Sequence, residues 1–234
     1  MKSDPILVGK SDTVPADSAS AASRACRIAC VGDSITRGTF VWRRQRNAYP
    51  AQLAGMLGDD FRVRGFGANG HAAQRSADRP YWNSAAFASS TVFHPDEVLI
   101  MLGTNDSRGD NWKGLEPFLR DYRELAVHYR SLQSNPVVWL LTPPALFRRR
   151  RTSKVRYRMD EDALRQICHG IRNTAHEHGF GLIDVNAATV DRPEVFKFDG
   201  VHPGAAGARL IAETVHEALT SRRHAEGAGK RTQP

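Results

Sequence analysis

Short apolar runs alternate with helix-like stretches along the whole chain. Five runs, four of them nearly continuously apolar and one alternating with basic residues, predict strands at 27–32, 61–65, 97–102, 136–141 and 181–185. Between and after these runs, apolar spacings of three and four residues, or helix-end signals, predict helices at 49–58, 115–132, 164–175 and 205–219. The chain therefore reads as one series of alternating strands and helices.

This alternation predicts an α/β fold, a single doubly wound, flavodoxin-like parallel five-stranded sheet with helices on both faces. In such a fold the carboxyl ends of several strands share one edge, where ligands bind. A chain of 234 residues can form it as a single domain. We expect this domain at 26–220, between a flexible N-terminal arm at 1–25 and a polar C-terminal tail at 221–234.

Three strand ends carry polar or glycine-rich turns, at 32–38, 65–70 and 103–106. In the first, Gly32 and Asp33 precede Ser34, so a buried strand would place the Ser34 hydroxyl at the ligand-binding edge. Ser34 is therefore a candidate nucleophile. The stretch alone also allows a serine that only caps the next helix or fills a turn.

A serine hydroxyl is a weak nucleophile unless a neighbouring base takes its proton. Among the nine histidines, His202 differs because it comes just ahead of the final predicted helix and follows Asp199 by three residues. This spacing lets the Asp199 carboxylate face one imidazole nitrogen while the other nitrogen faces Ser34. A turn begun by Asp199 and a helix capped by His202 is the structural alternative.

Four short blocks occur in order along the chain: Gly-Asp-Ser-Ile at 32–35, Gly-Ala-Asn-Gly at 67–70, Gly-Thr-Asn-Asp at 103–106 and Asp-Gly-Val-His-Pro at 199–203. Together they resemble the sequence blocks of the SGNH hydrolases, also called the GDSL family. The resemblance implies a serine esterase that needs no cofactor and no metal. Its catalytic residues would be Ser34 as nucleophile, His202 as general base and acid, and Asp199 as the orienting acid.

The same resemblance implies an oxyanion hole. Its donors would be the backbone N–H of Ser34, the backbone N–H of Gly70 and the side-chain amide of Asn105. Gly67 is the alternative glycine in the second block. Such donors stabilise the negative charge of a tetrahedral acyl intermediate.

Two further stretches, at 79–83 and 105–113, resemble a bacterial branch of the family commonly assigned as carbohydrate or sialate O-acetylesterases. This resemblance implies a small acylated substrate, an acetylated sugar. Tyr81, Trp82 and Trp112 are candidates for stacking on sugar faces, and Asp33 is a further candidate substrate contact. Packing in the core is the alternative interpretation of each aromatic residue.

The net charge of +8 is concentrated in one segment, since 148–158 contains seven Arg and Lys and no acid, which leaves +1 for the rest of the chain. The segment is a solvated loop, a lid or anion-binding loop, or a nucleic-acid surface. Tyr157 is its single aromatic residue, which disfavours nucleic acid as a partner.

The cysteine content and the hydropathy of the chain favour a cytoplasmic protein without a membrane partner. Cys26, Cys30 and Cys168 are an odd number without metal-ligand spacing and fit small hydrophobic positions. No run reaches the roughly 18 apolar residues of a membrane span. Residues 1–24 lack the charged start and apolar core of a secretory signal.

Two other functions remain open from the residues. One is a lipase or thioesterase of the same family that acts on longer acyl chains. The other is a non-catalytic protein that uses the basic segment to bind an anionic glycan or nucleic acid; the presence of Ser34, Asp199, His202 and Asn105 argues against it. The residues carry no signal for an oligomeric state.

Overall fold

The structure, a computed structural model, describes residues 24–148 and 156–230. Its strands within these residues are β1 (Cys26–Gly32), β2 (Phe61–Gly67), β3 (Glu97–Met101), β4 (Val137–Leu141) and β5 (Gly181–Ile183). All neighbouring strands pair in parallel, in the order β2-β1-β3-β4-β5. The predicted flavodoxin-like five-stranded parallel sheet is therefore confirmed.

The α-helices of the described residues are α1 (Ser34–Arg37), α2 (Arg44–Asn47), α3 (Tyr49–Leu57), α4 (Ala85–Thr91), α5 (Leu115–Arg130), α6 (Glu161–His178), α7 (Val185–Thr189) and α8 (Ala205–Lys230). They cover both faces of the sheet. Successive residues of a strand point to opposite faces, so each strand contributes side chains to two core clusters. Val98 and Ile100 of β3 pack in one core cluster with α5 and α6. Leu99 and Met101 pack in a second cluster with α3 and α8.

Two elements extend beyond their predicted ends. Strand β2 continues to Gly67 despite its glycines, because 65–67 still pair with 30–32 of β1. Helix α8 continues past the predicted end at 219 to Lys230, through much of the expected tail. Its extension contacts the sheet, since Arg223 pairs with Glu97 of β3 and lies over the Phe61 ring.

Some expectations concern residues outside the described ranges. These are most of the flexible arm, at 1–23, most of the basic segment, at 149–155, and the last four residues, at 231–234. In the part of the chain that is described, no helix is both long and apolar enough to cross a membrane.

Candidate active site

Ser34 is the first residue of α1, directly after β1 at the carboxyl edge of the sheet. The Asp33 side chain caps this helix by accepting the Ile35 N–H at 2.8 Å, and Gly38, with a φ of 78°, ends it after four residues. Gly67 of the neighbouring strand packs against this turn so closely that a Cβ atom would lie 2.6 Å from the Asp33 carbonyl oxygen. The turn that presents Ser34 is thus fixed from both sides.

Ser34, His202 and Asp199 form a continuous chain of hydrogen bonds. The Ser34 Oγ lies 2.8 Å from the His202 Nε2, and the His202 Nδ1 lies 2.7 Å from the Asp199 Oδ2. Asp199 is fully buried and His202 nearly so. Three residues that the sequence placed at opposite ends of the chain are therefore in direct contact.

The segment that carries His202 is a tight turn centred on Asp199. The second carboxylate oxygen of Asp199 accepts the backbone N–H groups of Val201 at 3.1 Å and His202 at 3.0 Å. Gly200 has a φ of 70°, and a Cβ atom there would lie 2.0 Å from the Phe147 carbonyl oxygen. Only glycine fits this position, because both the backbone conformation and the space exclude a side chain.

The surroundings of Asp199 keep it ionised. Burial by itself disfavours the charged form, but the hydrogen bonds from the His202 ring and from the backbone of His202 and Val201 outweigh it and lower the pKa of Asp199 to about 2. An ionised carboxylate only accepts hydrogen bonds, so the His202 Nδ1 carries the proton and donates to Asp199. The His202 Nε2 is then left to accept a hydrogen bond from the Ser34 hydroxyl.

Asn105 lies in the turn that follows β3 and lines the same cavity as Ser34. Its Nδ2 donates to the His71 carbonyl oxygen at 3.0 Å and to the Asp33 Oδ2 at 3.3 Å, and the backbone carbonyl of Asn105 accepts from the side-chain amide of Asn111 at 2.9 Å. These contacts fix the amide in place beside the cavity, which Asn105 lines. The side-chain amide is therefore preorganised rather than free to rotate.

Gly70 and Gly67, the alternative glycines of the second block, occupy different places. Gly70, with a φ of 74°, lines the same cavity as Ser34 and Asn105, and its N–H donates to no backbone oxygen of the described residues. Gly67 pairs with Gly32 inside the sheet and packs against the helix turn instead. Of the two glycines, Gly70 is therefore the one that borders the cavity around Ser34.

Two buried carboxyl groups support this side of the site. Burial raises the pKa of Asp33 to about 6, against the opposing hydrogen bond from the Ile35 N–H. Burial also raises the pKa of Asp106 to about 6, although its carboxylate accepts the N–H groups of Ala73 and Gln74 at 2.9 and 2.8 Å. Asp106 ties the loop after β3 to the segment that follows Gly70.

An open cavity of about 230 Å³ surrounds the Ser34 hydroxyl. Its lining residues are Ser34, Thr39, Phe40, Asn69, Gly70, Thr104, Asn105, Arg108, Tyr157, Met159, Val201 and His202. Two aromatic rings flank His202 edge-on, with ring centres at 5.2 Å for Phe40 and 6.0 Å for Tyr157. The Tyr157 hydroxyl also donates to the Asp199 Oδ2 at 3.4 Å.

None of the four residues expected to contact substrate lines this cavity. Tyr81 is completely buried in the core, where its hydroxyl donates to the Phe66 carbonyl, so it has no surface to offer a sugar. Asp33 is 1% exposed and is occupied by helix capping and by Asn105. Trp82 and Trp112 pack against the core on the α5 side and do not line the cavity. Tyr81, Trp82 and Trp112 therefore pack with the core, which is the alternative interpretation given for the aromatic residues.

Sequence reasoning missed two residues that flank His202. Phe40 has a φ of 63°, a conformation that no residue pattern announces, and 49% of it is exposed. Tyr157 differs in the sequence only as the single aromatic of the basic segment, and its position beside His202 depends on contacts distant in sequence. In the described ranges, no group of three or more His, Cys, Asp or Glu could hold a metal ion.

A sequence model of the GDSL-like Lipase/Acylhydrolase family matches residues 30–210 of this chain. The chain is also similar to an acetylxylan esterase of Xylanibacter ruminicola, with 31% identity over 213 residues. This match covers 83% of the present chain and 43% of the relative, so the chain spans less than half of that protein's length.

Solved structures with the same fold include the aryl esterase of M. smegmatis, with a TM-score of 0.68 and 19% identity over 84% of this chain and 99% of that one. A carbohydrate acetylesterase family member from Sinorhizobium meliloti superposes with a TM-score of 0.66 and 21% identity, covering 83% and 97% of the two chains. At these identities the structures bear on the fold alone. The family match and the curated relative agree with the four blocks, and the chain belongs to the GDSL-like lipase/acylhydrolase family.

Proposed function

We propose that this chain is a serine esterase that removes small acyl groups, acetyl above all, from a carbohydrate. The observation that carries the proposal is the hydrogen-bonded series from Ser34 through His202 to Asp199, with distances of 2.8 and 2.7 Å. Nucleophile, base and orienting acid stand in the order that acyl transfer requires. A protein that only binds its ligand has no need of this arrangement.

In the acylation step the Ser34 Oγ attacks the carbonyl carbon of the ester while its proton moves to the His202 Nε2. The resulting imidazolium lies against the ionised Asp199, which stabilises it and keeps the ring oriented. Collapse of the tetrahedral intermediate breaks the bond to the alcohol oxygen. That oxygen takes the proton from Nε2 and leaves Ser34 acylated.

The negative charge of the tetrahedral intermediate falls on the former carbonyl oxygen. In this proposal the donors to it are the backbone N–H groups of Ser34 and Gly70 and the Nδ2 of Asn105, which all border the cavity. The two Nδ2 hydrogens of Asn105 bond the His71 carbonyl at 3.0 Å and Asp33 at 3.3 Å, and in this proposal the oxyanion replaces the longer bond to Asp33. Water then attacks the acyl-enzyme by the same route, with His202 again taking and returning a proton, and releases the carboxylic acid.

The size of the cavity supports a short acyl group. Its volume of about 230 Å³ is below the roughly 300–1,000 Å³ of pockets that enclose drug-sized ligands. The similarity to an acetylxylan esterase supports an acetylated sugar as the alcohol part. The cytoplasmic location stays a prediction from the cysteine content.

The experiment is hydrolysis of aryl esters with acyl chains from acetyl to octanoyl, by the wild type and Ser34→Ala. We expect a steep preference for acetyl and a loss of about 10⁴-fold or more in kcat for Ser34→Ala. Ser131→Ala, an exposed serine at the end of α5, is the matched control and retains activity. Turnover of octanoyl esters at the rate of acetate would instead favour a lipase, and no turnover of any ester would reject the esterase.

A screen of acetylated saccharides then tests the alcohol part. We expect acetate release from acetylated oligosaccharides with a higher kcat/KM than from aryl acetate. Equal or lower values for every acetylated sugar would reject the carbohydrate assignment and leave the esterase assignment intact.

A further inference from the structure

The described residues contain four exposed aromatic side chains: Phe40, Trp42, Tyr157 and Phe198. Three of them meet at the candidate active site. Phe40 and Tyr157 line the cavity around Ser34, and their ring centres lie 5.2 and 6.0 Å from that of His202. Phe198 is not part of this lining, and its ring centre lies 6.0 Å from that of Phe40. Large apolar side chains that cluster in solvent indicate a surface that contacts a ligand or a partner.

Arg156 connects the two ends of this cluster. Its guanidinium carbon lies 5.1 Å from the ring centre of Tyr157 and 5.4 Å from that of Phe198. A cation is attracted to the face of an aromatic ring at such distances. The three rings therefore form one continuous surface beside His202, and we define Phe40, Tyr157 and Phe198 as the aromatic surface. Arg156 adds N–H donors to this otherwise apolar surface.

Two of the rings are carried by the turns that carry the proposed nucleophile and base. Phe40 follows the Ser34 turn, where the N–H of the residue before Phe40 donates to the Ser34 carbonyl oxygen at 2.9 Å. Phe198 lies in the turn of His202, where the N–H of the residue before Phe198 donates to the His202 carbonyl oxygen at 2.8 Å. Phe40 and Tyr157 both have a positive φ, of 63° and 61°, and uncommon backbone conformations of this kind concentrate at functional sites.

The proposed mechanism decides which part of an ester meets these rings. The leaving alcohol oxygen takes its proton from the His202 Nε2, so it comes within hydrogen-bond distance of that atom. The oxyanion instead points to the donors of Asn105 and Gly70. The carbon atoms attached to the alcohol oxygen therefore lie beside the His202 ring, where Phe40 and Tyr157 are. A surface at this place contacts the leaving alcohol rather than the acyl group.

We propose that the aromatic surface binds the alcohol half of the ester, and that this half is a chain of pyranose units. Phe40 and Tyr157 contact the unit that carries the acyl group, and Phe198, outside the cavity, contacts the next unit. The C–H face of a pyranose packs on an aromatic ring, and the Arg156 guanidinium donates to its hydroxyl groups. The similarity to an acetylxylan esterase supports a saccharide chain. The inference rests on the proposed function and adds the residues that select the alcohol.

Three acetate esters with alcohols of increasing size separate the contacts: ethyl acetate, an O-acetylated methyl xyloside and O-acetylated xylotetraose. In Phe40→Ala, we expect kcat/KM for the xyloside relative to ethyl acetate to fall about threefold to tenfold. In Phe198→Ala, we expect kcat/KM for xylotetraose relative to the xyloside to fall by a similar factor, through KM. Phe198→Tyr, which keeps the ring, retains the wild-type ratio.

Trp42→Ala is the matched control, because Trp42 is 69% exposed, as Phe198 is at 67%, but does not line the cavity. We expect it to keep both wild-type ratios. A second comparison holds the alcohol constant and changes the acyl group from acetyl to butanoyl. If Phe40→Ala and Phe198→Ala alter this acyl preference and leave the alcohol preference unchanged, the rings hold the acyl group and the proposal is overturned.

Binding of an uncleaved ligand gives a readout that is independent of catalysis. Ser34→Ala is titrated with O-acetylated xylotetraose by calorimetry, with and without the second substitution Phe198→Ala. We expect the dissociation constant to rise about threefold to tenfold in the double variant. Ser34→Ala combined with Trp42→Ala keeps the value of Ser34→Ala. Equal dissociation constants in all three proteins overturn the proposal.

The outcomes separate this inference from the proposed function. A wild type that hydrolyses aryl acetate but no acetylated saccharide rejects the carbohydrate assignment, and this inference with it. A wild type that cleaves the saccharide esters, with the same ratios in Phe40→Ala and Phe198→Ala, overturns the aromatic surface alone. Loss of binding to phosphatidylcholine vesicles in Phe198→Ala, with both ratios unchanged, assigns the rings to a lipid surface and also overturns it.

Discussion

Two buried aspartates border the candidate active site, and they titrate in opposite directions. Asp33 and Asp199 are 1% and 0% exposed, yet burial raises the pKa of Asp33 to about 6 whereas hydrogen bonds lower the pKa of Asp199 to about 2. Asp33 lies on the side of Asn105, and Asp199 lies on the side of His202. Residue type and burial therefore do not decide their charge.

The number and quality of the donors make the difference. The Asp199 carboxylate accepts two backbone N–H groups and the His202 ring, all within 3.1 Å, and its charge is strongly stabilised. The Asp33 carboxylate accepts one backbone N–H at 2.8 Å and the Asn105 amide at 3.3 Å. The carboxylate with the lowered pKa, Asp199, thus lies where the proposed mechanism forms an imidazolium. The carboxyl group with the raised pKa, Asp33, lies where the mechanism forms an oxyanion.

Replacing Asp199 is expected to lower the esterase activity more than the other changes considered below. Asp199→Asn keeps the size of the side chain but offers His202 a neutral group, which favours the wrong tautomer and leaves the imidazolium without its partner. We expect kcat for aryl acetate to fall about 10⁴-fold. Asp184→Asn is the control, because Asp184 caps α7 and pairs with Arg172 away from the cavity. A loss below tenfold in Asp199→Asn would contradict the role given to this charge.

The next largest loss of activity is expected from replacing Asn105. Asn105→Ala removes the side-chain donor that Asp33 and the His71 carbonyl hold in place, and we expect kcat to fall about 10²- to 10³-fold with little change in KM. Asn69→Ala is the matched control, since Asn69 lines the same cavity but is exposed, and its side-chain oxygen accepts the Thr39 hydroxyl. Equal losses in the two variants would remove Asn105 from the proposed oxyanion hole.

The architecture on which this comparison depends was largely predictable from the sequence. Five strands alternating with helices predicted the flavodoxin-like strand order. The polar turns at the strand ends predicted that Ser34, Gly70 and Asn105 meet at one edge, because parallel strands share their carboxyl ends. The contact between His202 and Ser34 was inferred from the Asp199 spacing together with the family blocks. Local patterns were sufficient wherever the chemistry lies in a turn at a strand end.

Predictions failed where exposure depends on packing between distant segments. Tyr81 was expected to face a sugar but is enclosed by the core, and nothing in its neighbours along the chain distinguishes the two positions. Phe40 and Tyr157 were not selected, although both flank His202, because each reaches the site through a backbone with positive φ. Helix α8 continues past its expected end, and Arg223 in this extension pairs with Glu97, a partner 126 residues away that no local pattern indicates.

The raised pKa of Asp33 is expected to make the stability of the folded protein depend on pH. The pKa of about 6 in the folded protein lies above the ordinary value of 3.8, so between these pH values the folded state binds more protons than the unfolded state. The stabilisation by protonated Asp33 is complete below about pH 4 and is lost as pH rises through 6. We expect the free energy of unfolding of the wild type, relative to Asp33→Asn, to fall by about 2 to 3 kcal/mol from pH 4 to pH 7.

Urea unfolding at four pH values measures this difference. Asp106→Asn serves as a comparison, because burial raises the pKa of Asp106 in the same direction while its carboxylate bonds Ala73 and Gln74 instead of Asn105. If the difference in unfolding free energy between the wild type and Asp33→Asn does not change with pH, Asp33 ionises as easily as a surface aspartate. The contrast with Asp199 would then disappear.

The smallest loss of activity is expected from removing the fourth and most distant hydrogen-bond donor to Asp199, the Tyr157 hydroxyl. The Tyr157 hydroxyl donates to the Asp199 Oδ2 at 3.4 Å, beyond the usual hydrogen-bond length, and 38% of the residue is exposed. Burial and the nearby Asp199 raise the pKa of Tyr157, so the hydroxyl remains a donor at neutral pH. Such a bond contributes about 1 kcal/mol or less, and we expect Tyr157→Phe to lower kcat about threefold.

Tyr157→Phe keeps the ring that flanks His202, whereas Tyr157→Leu removes the ring as well. If the ring shields His202 and the hydroxyl adds little, kcat falls further in the leucine variant than in the phenylalanine variant, measured with the same aryl acetate. A hundredfold loss in Tyr157→Phe would contradict this ranking, because it would mean that the charge of Asp199 depends on the long bond as much as on its three short ones.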